Sequence, residues 1–307
     1  MADIKRRDAT LEAGTNELEV MEFLIDGRSF GINVAKVMEI MQYEEVTPIP
    51  HSNDFVEGIF KPRNQIITVL DLAAYLGLGK STNPGRDILI ITNFNKNHTA
   101  FHVHSVEIIH RISWSDMEKP DETISAGMDG ITTGIARVGE RLITILDFEK
   151  IMAELNPSHT LQVSDLGDTS RRMQNNKPIF IAEDSPFLRK LLVDCLHKSG
   201  YRNTLCFDTG LEAWKALECI AENEETIEDN VTCVITDIEM PQMDGHTLTK
   251  LIKTNPKLKK LPVIIFSSLI TDEMKAKGST VGANEQVSKP EILNLVNILD
   301  EHLLPLA

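Results

Sequence analysis

Thr236-Asp-Ile-Glu-Met-Pro-Gln-Met-Asp-Gly245 decides how the second half of this chain is read. The residues before it, Val231–Thr236, form a short apolar, β-branched run that reads as a buried strand, and Asp237 stands where that run stops. Four similar runs surround it, at Pro178–Ala182, Thr204–Phe207, Pro262–Phe266 and Glu285–Val287. Helical patterns intervene, notably Pro186–Lys198, Leu211–Ala221 and Ile292–Leu304, with an acidic loop expected over Glu222–Asp229. Five strands alternating with helices predict a parallel sheet covered on both faces, an α/β doubly wound domain.

In such a sheet, function gathers at the carboxyl ends of the strands. Glu183 and Asp184 follow the first strand and Asp237 the third, Ser267 ends the fourth, and Lys289 follows the fifth. All five can therefore meet on one rim. Clustered carboxylates repel one another and rise in pKa unless a cation is present. A hard divalent ion resolves this, and Mg²⁺ suits carboxylates combined with phosphate and water. A lysine and a hydroxyl opposite it can bind phosphoryl oxygens. This is equipment for moving a phosphoryl group onto a carboxylate.

Phe180-Ile-Ala-Glu-Asp-Ser185, Thr236–Gly245, Phe266-Ser-Ser268 and Ser288-Lys-Pro290 together resemble the receiver domain of two-component response regulators. The resemblance implies a (βα)5 fold with strand order 2-1-3-4-5 and Asp237 as phosphoacceptor. It implies Mg²⁺ held by Asp184, Asp237 and the backbone carbonyl of Glu239, with Glu183 acting through water. Ser267 and Lys289 would bind the phosphoryl oxygens, and the Lys289–Pro290 bond becomes a cis candidate. Three residues before the lysine, where many receivers carry an aromatic switch, this chain has Gln286. Glu239 would place a carboxylate near the route of a hydrolysing water and so alter the lifetime of the phosphate.

Upstream, Leu18 to Leu155 reads as short strands separated by turn residues, among them Glu19–Ile25, Ile88–Thr92 and Ile131–Ala136. Gly58-Ile-Phe-Lys-Pro-Arg-Asn-Gln-Ile-Ile-Thr-Val-Leu-Asp71 aligns without gaps on Gly134-Ile-Ala-Arg-Val-Gly-Glu-Arg-Leu-Ile-Thr-Ile-Leu-Asp147. Each copy ends in an Asp placed to cap a helix, over Leu72–Leu76 and Phe148–Leu155. The repeat implies two similar β subdomains.

No catalytic constellation appears here. His102 and His104 share a strand face, but no neighbouring Cys or carboxylate completes a metal set, so they and His98 read as exposed strand positions. The segments Phe30–Ile40, Gly58–Arg63, Ile66–Leu72 and Gly134–Asp147 resemble CheW, the adaptor that couples chemoreceptors to the histidine kinase CheA. The resemblance implies an all-β domain of two small five-stranded barrels. It makes Val37, Glu39, Arg63 and Ile66 candidates for a surface facing receptor or kinase. Pro62 and Asn64 replace the family's residues around Arg63.

The expected organisation is a tail over 1–16, a coupling domain over 17–155, a polar linker over 156–176 and a receiver over 177–307. A coupling domain followed by a receiver resembles the CheV family of chemotaxis coupling proteins. That resemblance implies CheA and methyl-accepting chemoreceptors as partners, phosphorylation rather than catalysis on outside substrates, and a place at receptor arrays. Two alternatives stand beside it: a phosphate sink for CheA, and a Mg²⁺-dependent phosphohydrolase with Asp237 as nucleophile. Known phosphohydrolases of the haloacid-dehalogenase type need a second Asp where Glu239 stands.

Composition bounds these readings. A net charge of −15 argues against nucleic-acid or anionic-membrane surfaces. No apolar stretch approaches the ~18 residues of a membrane span, and the polar start of the chain lacks a signal-peptide core. A cytoplasmic protein is expected. Cys195, Cys206, Cys219 and Cys233 show no C-x-x-C spacing and read as reduced thiols.

Overall fold

The computed structural model describes residues 17–303, apart from 63–64, 95–96, 114–115, 119–130, 156–165, 167–173, 224–225, 269, 271 and 290. The expected tail, most of the linker, Arg63 and Pro290 lie outside the described residues. Three sheets organise the described residues.

The N-terminal region contains strands β1 (Glu17–Ile25), β2 (Arg28–Asn33), β3 (Val37–Gln42), β4 (Val56–Phe60), β5 (Ile67–Asp71), β6 (Ile88–Phe94), β7 (Asn97–Val103), β8 (Ser105–Ser113), β9 (Met117–Glu118), β10 (Thr132–Val138) and β11 (Arg141–Leu146). Two short helices join them, α1 (Leu72–Tyr75) and α2 (Phe148–Leu155). One sheet runs β3-β6-β7-β5-β4. The other runs β8-β1-β2-β11-β10-β9, six strands rather than the five expected, because the two-residue β9 extends its edge.

The internal repeat is visible as structure. The β4–β5 and β10–β11 hairpins each carry a bulge at the matched glycine, between Val56 and Gly58 and between Thr132 and Gly134. Gly58 has φ 155°, and a Cβ there would meet the Thr47 carbonyl oxygen at 2.3 Å, so only glycine fits. The second strand of each hairpin makes a parallel pair, β5 with β7 and β11 with β2. Each then ends in an Asp whose carboxylate caps a helix: Asp71 accepts from Ala74 N at 2.9 Å, and Asp147 from Lys150 N at 2.9 Å.

Both sheets contribute to the main core, where Phe148 packs edge-on against Phe23 and Phe101. Burial of Phe148 and Ile151, worth about 1.5–3 kcal/mol each, holds α2 on the domain. The parallel pairing of β2 with β11 brings their ends together. The turn Val34–Lys36 therefore lies beside the start of α2.

The C-terminal region alternates β12 (Ile179–Ala182), α3 (Pro186–Lys198), β13 (Thr204–Phe207), α4 (Gly210–Asn223), β14 (Cys233–Thr236), α5 (Gly245–Thr254), β15 (Val263–Ser267), α6 (Asp272–Val281), β16 (Glu285–Ser288) and α7 (Ile292–Leu303). All strand pairs are parallel, in the order β13-β12-β14-β15-β16, with a hydrophobic core on each face. In receiver order this is the expected 2-1-3-4-5. The acidic segment after Ala221 is less open than expected: α4 continues to Asn223, and Ile227–Asp229 form a 3₁₀ turn. All four cysteines are free thiols.

Candidate functional site

Neighbouring β12 and β14 lead to opposite sides of the sheet, which opens a crevice beyond their carboxyl ends. Glu183, Asp184 and Asp237 meet there, with ligand oxygens all within 4.8 Å of one another. Asp237 is 5% exposed; its Oδ1 accepts from Ile238 N at 2.6 Å and its Oδ2 lies 3.1 Å from Lys289 Nζ. Lys289 Nζ also reaches Glu183 at 2.8 Å. Ser267 is buried at the end of β15. The loop after Asp237 closes against α5, where Gly245 N donates to Ile238 O at 2.9 Å.

Electrostatics follow from crowding. Burial lifts Glu183 to about 8, repulsion from Asp237 and Glu149 adding to it against the pull of Lys289. Burial also pushes Asp184 well up, with Glu183 and Asp237 as further causes. Lys289 rises well above its ordinary value because Asp237, Glu149 and Glu183 outweigh its own burial. Six carboxylates converge here, those of Asp147, Glu149, Glu183, Asp184, Asp237 and Glu239, against the ammonium groups of Lys36 and Lys289. This excess of hard oxygen donors fits a divalent cation.

Lys36, Asp147 and Glu149, all facing this crevice, come from the N-terminal domain, as does Asn33; of these only Asp147 stood out in the sequence, and there as a helix cap. Lys36 Nζ pairs with Glu239 at 2.9 Å and with Glu149 at 3.3 Å. Glu149 pairs with Lys289 at 3.5 Å and accepts a hydrogen bond from Ser268. Asp147 accepts from Ser185 Oγ at 2.7 Å. The Glu239 side chain lines the crevice with Asp237, pairs with Lys36 and accepts a hydrogen bond from Asn33.

Gln286, at the place of the aromatic switch, donates from Nε2 to Lys275 O at 2.9 Å and fills the space left by Gly278. It ties β16 to α6.

In the N-terminal domain, β3 alternates: Val37 and Glu39 are half-buried, while Met38 and Ile40 are exposed. Val37 packs against the main core, and Ile66 is 65% exposed. An apolar surface thus includes Met38 and Ile40, which the sequence did not single out. A period-2 count from a securely placed core residue would have found them.

His102 departs from the exposed position expected of it. It is clasped between Glu57 Oε1 at 2.7 Å and Asp87 Oδ2 at 2.9 Å, and it stacks on Tyr43. His104 accepts from Asp26 N at 3.0 Å.

A β domain with two related hairpins, joined to a parallel sheet with an acidic crevice and a buried lysine, defines a coupling domain fused to a receiver. Residues 19–156 match the family profile of the CheW-like domain, and residues 179–300 that of the response regulator receiver domain. The chain is 30% identical to chemotaxis protein CheV3 of Helicobacter pylori, covering 87% of this chain and 89% of that protein. It is 30% identical to CheV2 of the same organism, covering 94% and 95%. Over 48% of its length it is 29% identical to chemotaxis protein CheW of Thermotoga maritima, 95% of which is covered. The chain belongs to the CheV family: it is a chemotaxis coupling protein with a phosphorylatable receiver domain. Among the described residues, no helix is long and apolar enough to cross a membrane.

Proposed function

We propose that the coupling domain, residues 17–155, docks to chemoreceptors and to the histidine kinase CheA in receptor arrays, and that CheA phosphorylates Asp237 of the receiver, residues 177–307. The observation that carries this reading is Asp237 at the end of the central strand, 3.1 Å from Lys289 and grouped with two further carboxylates. In the transfer, an Asp237 carboxylate oxygen bonds to phosphorus while the phosphorus–nitrogen bond of the kinase phosphohistidine breaks. The imidazole leaves with that electron pair, and an acyl phosphate remains. Lys289 and Ser267 bind phosphoryl oxygens. Glu183, Asp184, Asp237 and the Glu239 carbonyl would hold Mg²⁺, which supplies charge neutralisation on the transferring group. The protein acts on no outside substrate, and its output is coupling strength.

Entry of coupling-domain side chains into the receiver's crevice favours regulated coupling over a passive phosphate sink. On the docking side, the exposed Met38 and Ile40 join Val37, Glu39, Arg63 and Ile66 as candidates. Incubation with phosphorylated CheA is expected to label the parent and not Asp237→Asn. Label on both would overturn the acceptor assignment.

A further inference from the structure

The two copies of the internal repeat diverge at one informative place. Asp71 and Asp147 cap their helices alike, but two positions on, the first copy has Ala73 and the second has Glu149. Ala73 is buried in its own domain's core. Glu149 leaves its domain and enters the receiver, where its carboxylate meets Ser268 at the end of β15 and Lys289 after β16. Lys289 is the ammonium of the phosphoryl-oxygen cradle, and Ser268 adjoins the cradle hydroxyl of Ser267; here the anion that meets Lys289 and Ser268 is a carboxylate from another domain. Lys289 and Lys36 hold Glu149 down to about 2 against its burial, so it is an anion at neutral pH.

Lys36 complements this. Its ammonium pairs with Glu239 and Glu149, and Asn33 donates to the same Glu239 carboxylate. Positive charge thus stands beside the acidic cluster, and negative charge stands at the cradle. With the domains so joined, Asp237 is 5% exposed and Lys289 4%. Coupling-domain side chains line the same crevice as Asp237, on the side from which a donor would approach it.

Resting on Asp237 as the acceptor, we infer that the coupling domain is an internal ligand of the receiver's phosphorylation site. Glu149 occupies the place of the phosphoryl group, Lys36 supplies part of the cation's charge, and phosphorylation with its metal displaces both and opens the joint between the domains. Glu149 and a phosphoryl group are both anionic and compete for Lys289, beside Ser267. Occupation of the cradle by one excludes the other, and that exclusion is how the state of Asp237 reaches the coupling domain.

The test uses the full chain with acetyl phosphate and Mg²⁺. An Asp237 oxygen forms the bond to phosphorus as the phosphorus–oxygen bond to acetate breaks and acetate leaves. Glu149→Ala is expected to be labelled at least about tenfold faster than the parent, because the competent open population rises. Glu149→Gln, which keeps a polar contact but loses the charge, should fall between them; circular dichroism confirms that both are folded. Separately, Mg²⁺ with beryllofluoride should accelerate amide hydrogen exchange in the parent at 33–36 and in α2, but not in Asp237→Asn. Equal labelling rates in the parent and both folded variants would overturn this inference while leaving the acceptor intact. Absence of label from every protein would overturn the acceptor reading, and this inference with it.

Discussion

His102 shows what a single side chain adds beyond the strand that bears it. Its carboxylate neighbours are 45 and 15 residues away in sequence, on β4 and just before β6. Burial alone pulls the imidazolium down, but hydrogen bonds and charge from Glu57 and Asp87 outweigh it and raise the pKa above 6.5. The adjoining Tyr43 phenol is pushed up to about 12 by burial and by Glu57, so it adds no charge near neutrality. Because the folded value is raised, the stabilisation is fully present below pH 6.5 and is lost as pH rises through the folded value. An NMR titration is expected to place His102 above 6.5; a value at or below it would contradict the clasp. His102→Gln should cost about 1–3 kcal/mol below pH 6 and flatten the pH dependence of melting. The clasp was not legible in sequence because strand pairing, not spacing, assembles it. Asp237 was legible because it ends an apolar run, which fixes its place in a parallel sheet without knowledge of pairing; Lys289 follows the largely polar Glu285–Ser288 and was legible through Ser288-Lys-Pro290.

Elements with local start signals were read to their ends. Pro186–Lys198 begins with Pro after the cap Ser185, and Phe148–Leu155 begins after Asp147; both helices keep the expected bounds. The end of α4 was less legible, since a polar, acidic stretch carries no apolar period to say where the helix stops. Gly245 marks a constraint between elements. A Cβ there would lie 1.9 Å from the Asp237 carbonyl oxygen, so α5 can start against the acceptor loop only without a side chain. Gly245→Ala is expected to cost at least about 2 kcal/mol, within the range for overpacked sites, and to slow labelling of Asp237 as the loop moves. Gly85→Ala, with nothing within 4 Å of the added carbon, should stay within about 0.5 kcal/mol. Urea unfolding of both variants checks this; equal midpoints would refute the constraint.

At the scale of the whole molecule, the joint between the domains was the part the sequence hid. Lys36 lies in the segment Phe30–Ile40 and Glu149 just after the second repeat, but nothing local marks either as facing another domain, where their partners Glu239, Ser268 and Lys289 lie. Breaking one member of such a buried charge network leaves its partners uncompensated. The repeat offers a matched pair of substitutions that separates helix capping from domain contact. Asp71→Ala and Asp147→Ala each remove a cap, worth about 1 kcal/mol, from α1 and α2 respectively. Only Asp147 also accepts from Ser185 Oγ, and that same Oγ accepts from Leu188 N at the start of α3. Removal of Asp147 therefore frees the Ser185 hydroxyl to turn, while removal of Asp71 leaves it in place. A charge-assisted hydrogen bond contributes about 1.5–3 kcal/mol. Hydrogen exchange at the Leu188 and Arg189 amides should thus accelerate by about tenfold or more in Asp147→Ala and remain unchanged in Asp71→Ala. Equal exchange at those amides in the two variants would mean that the carboxylate closing the second repeat serves its own helix alone, and that the receiver does not sense it.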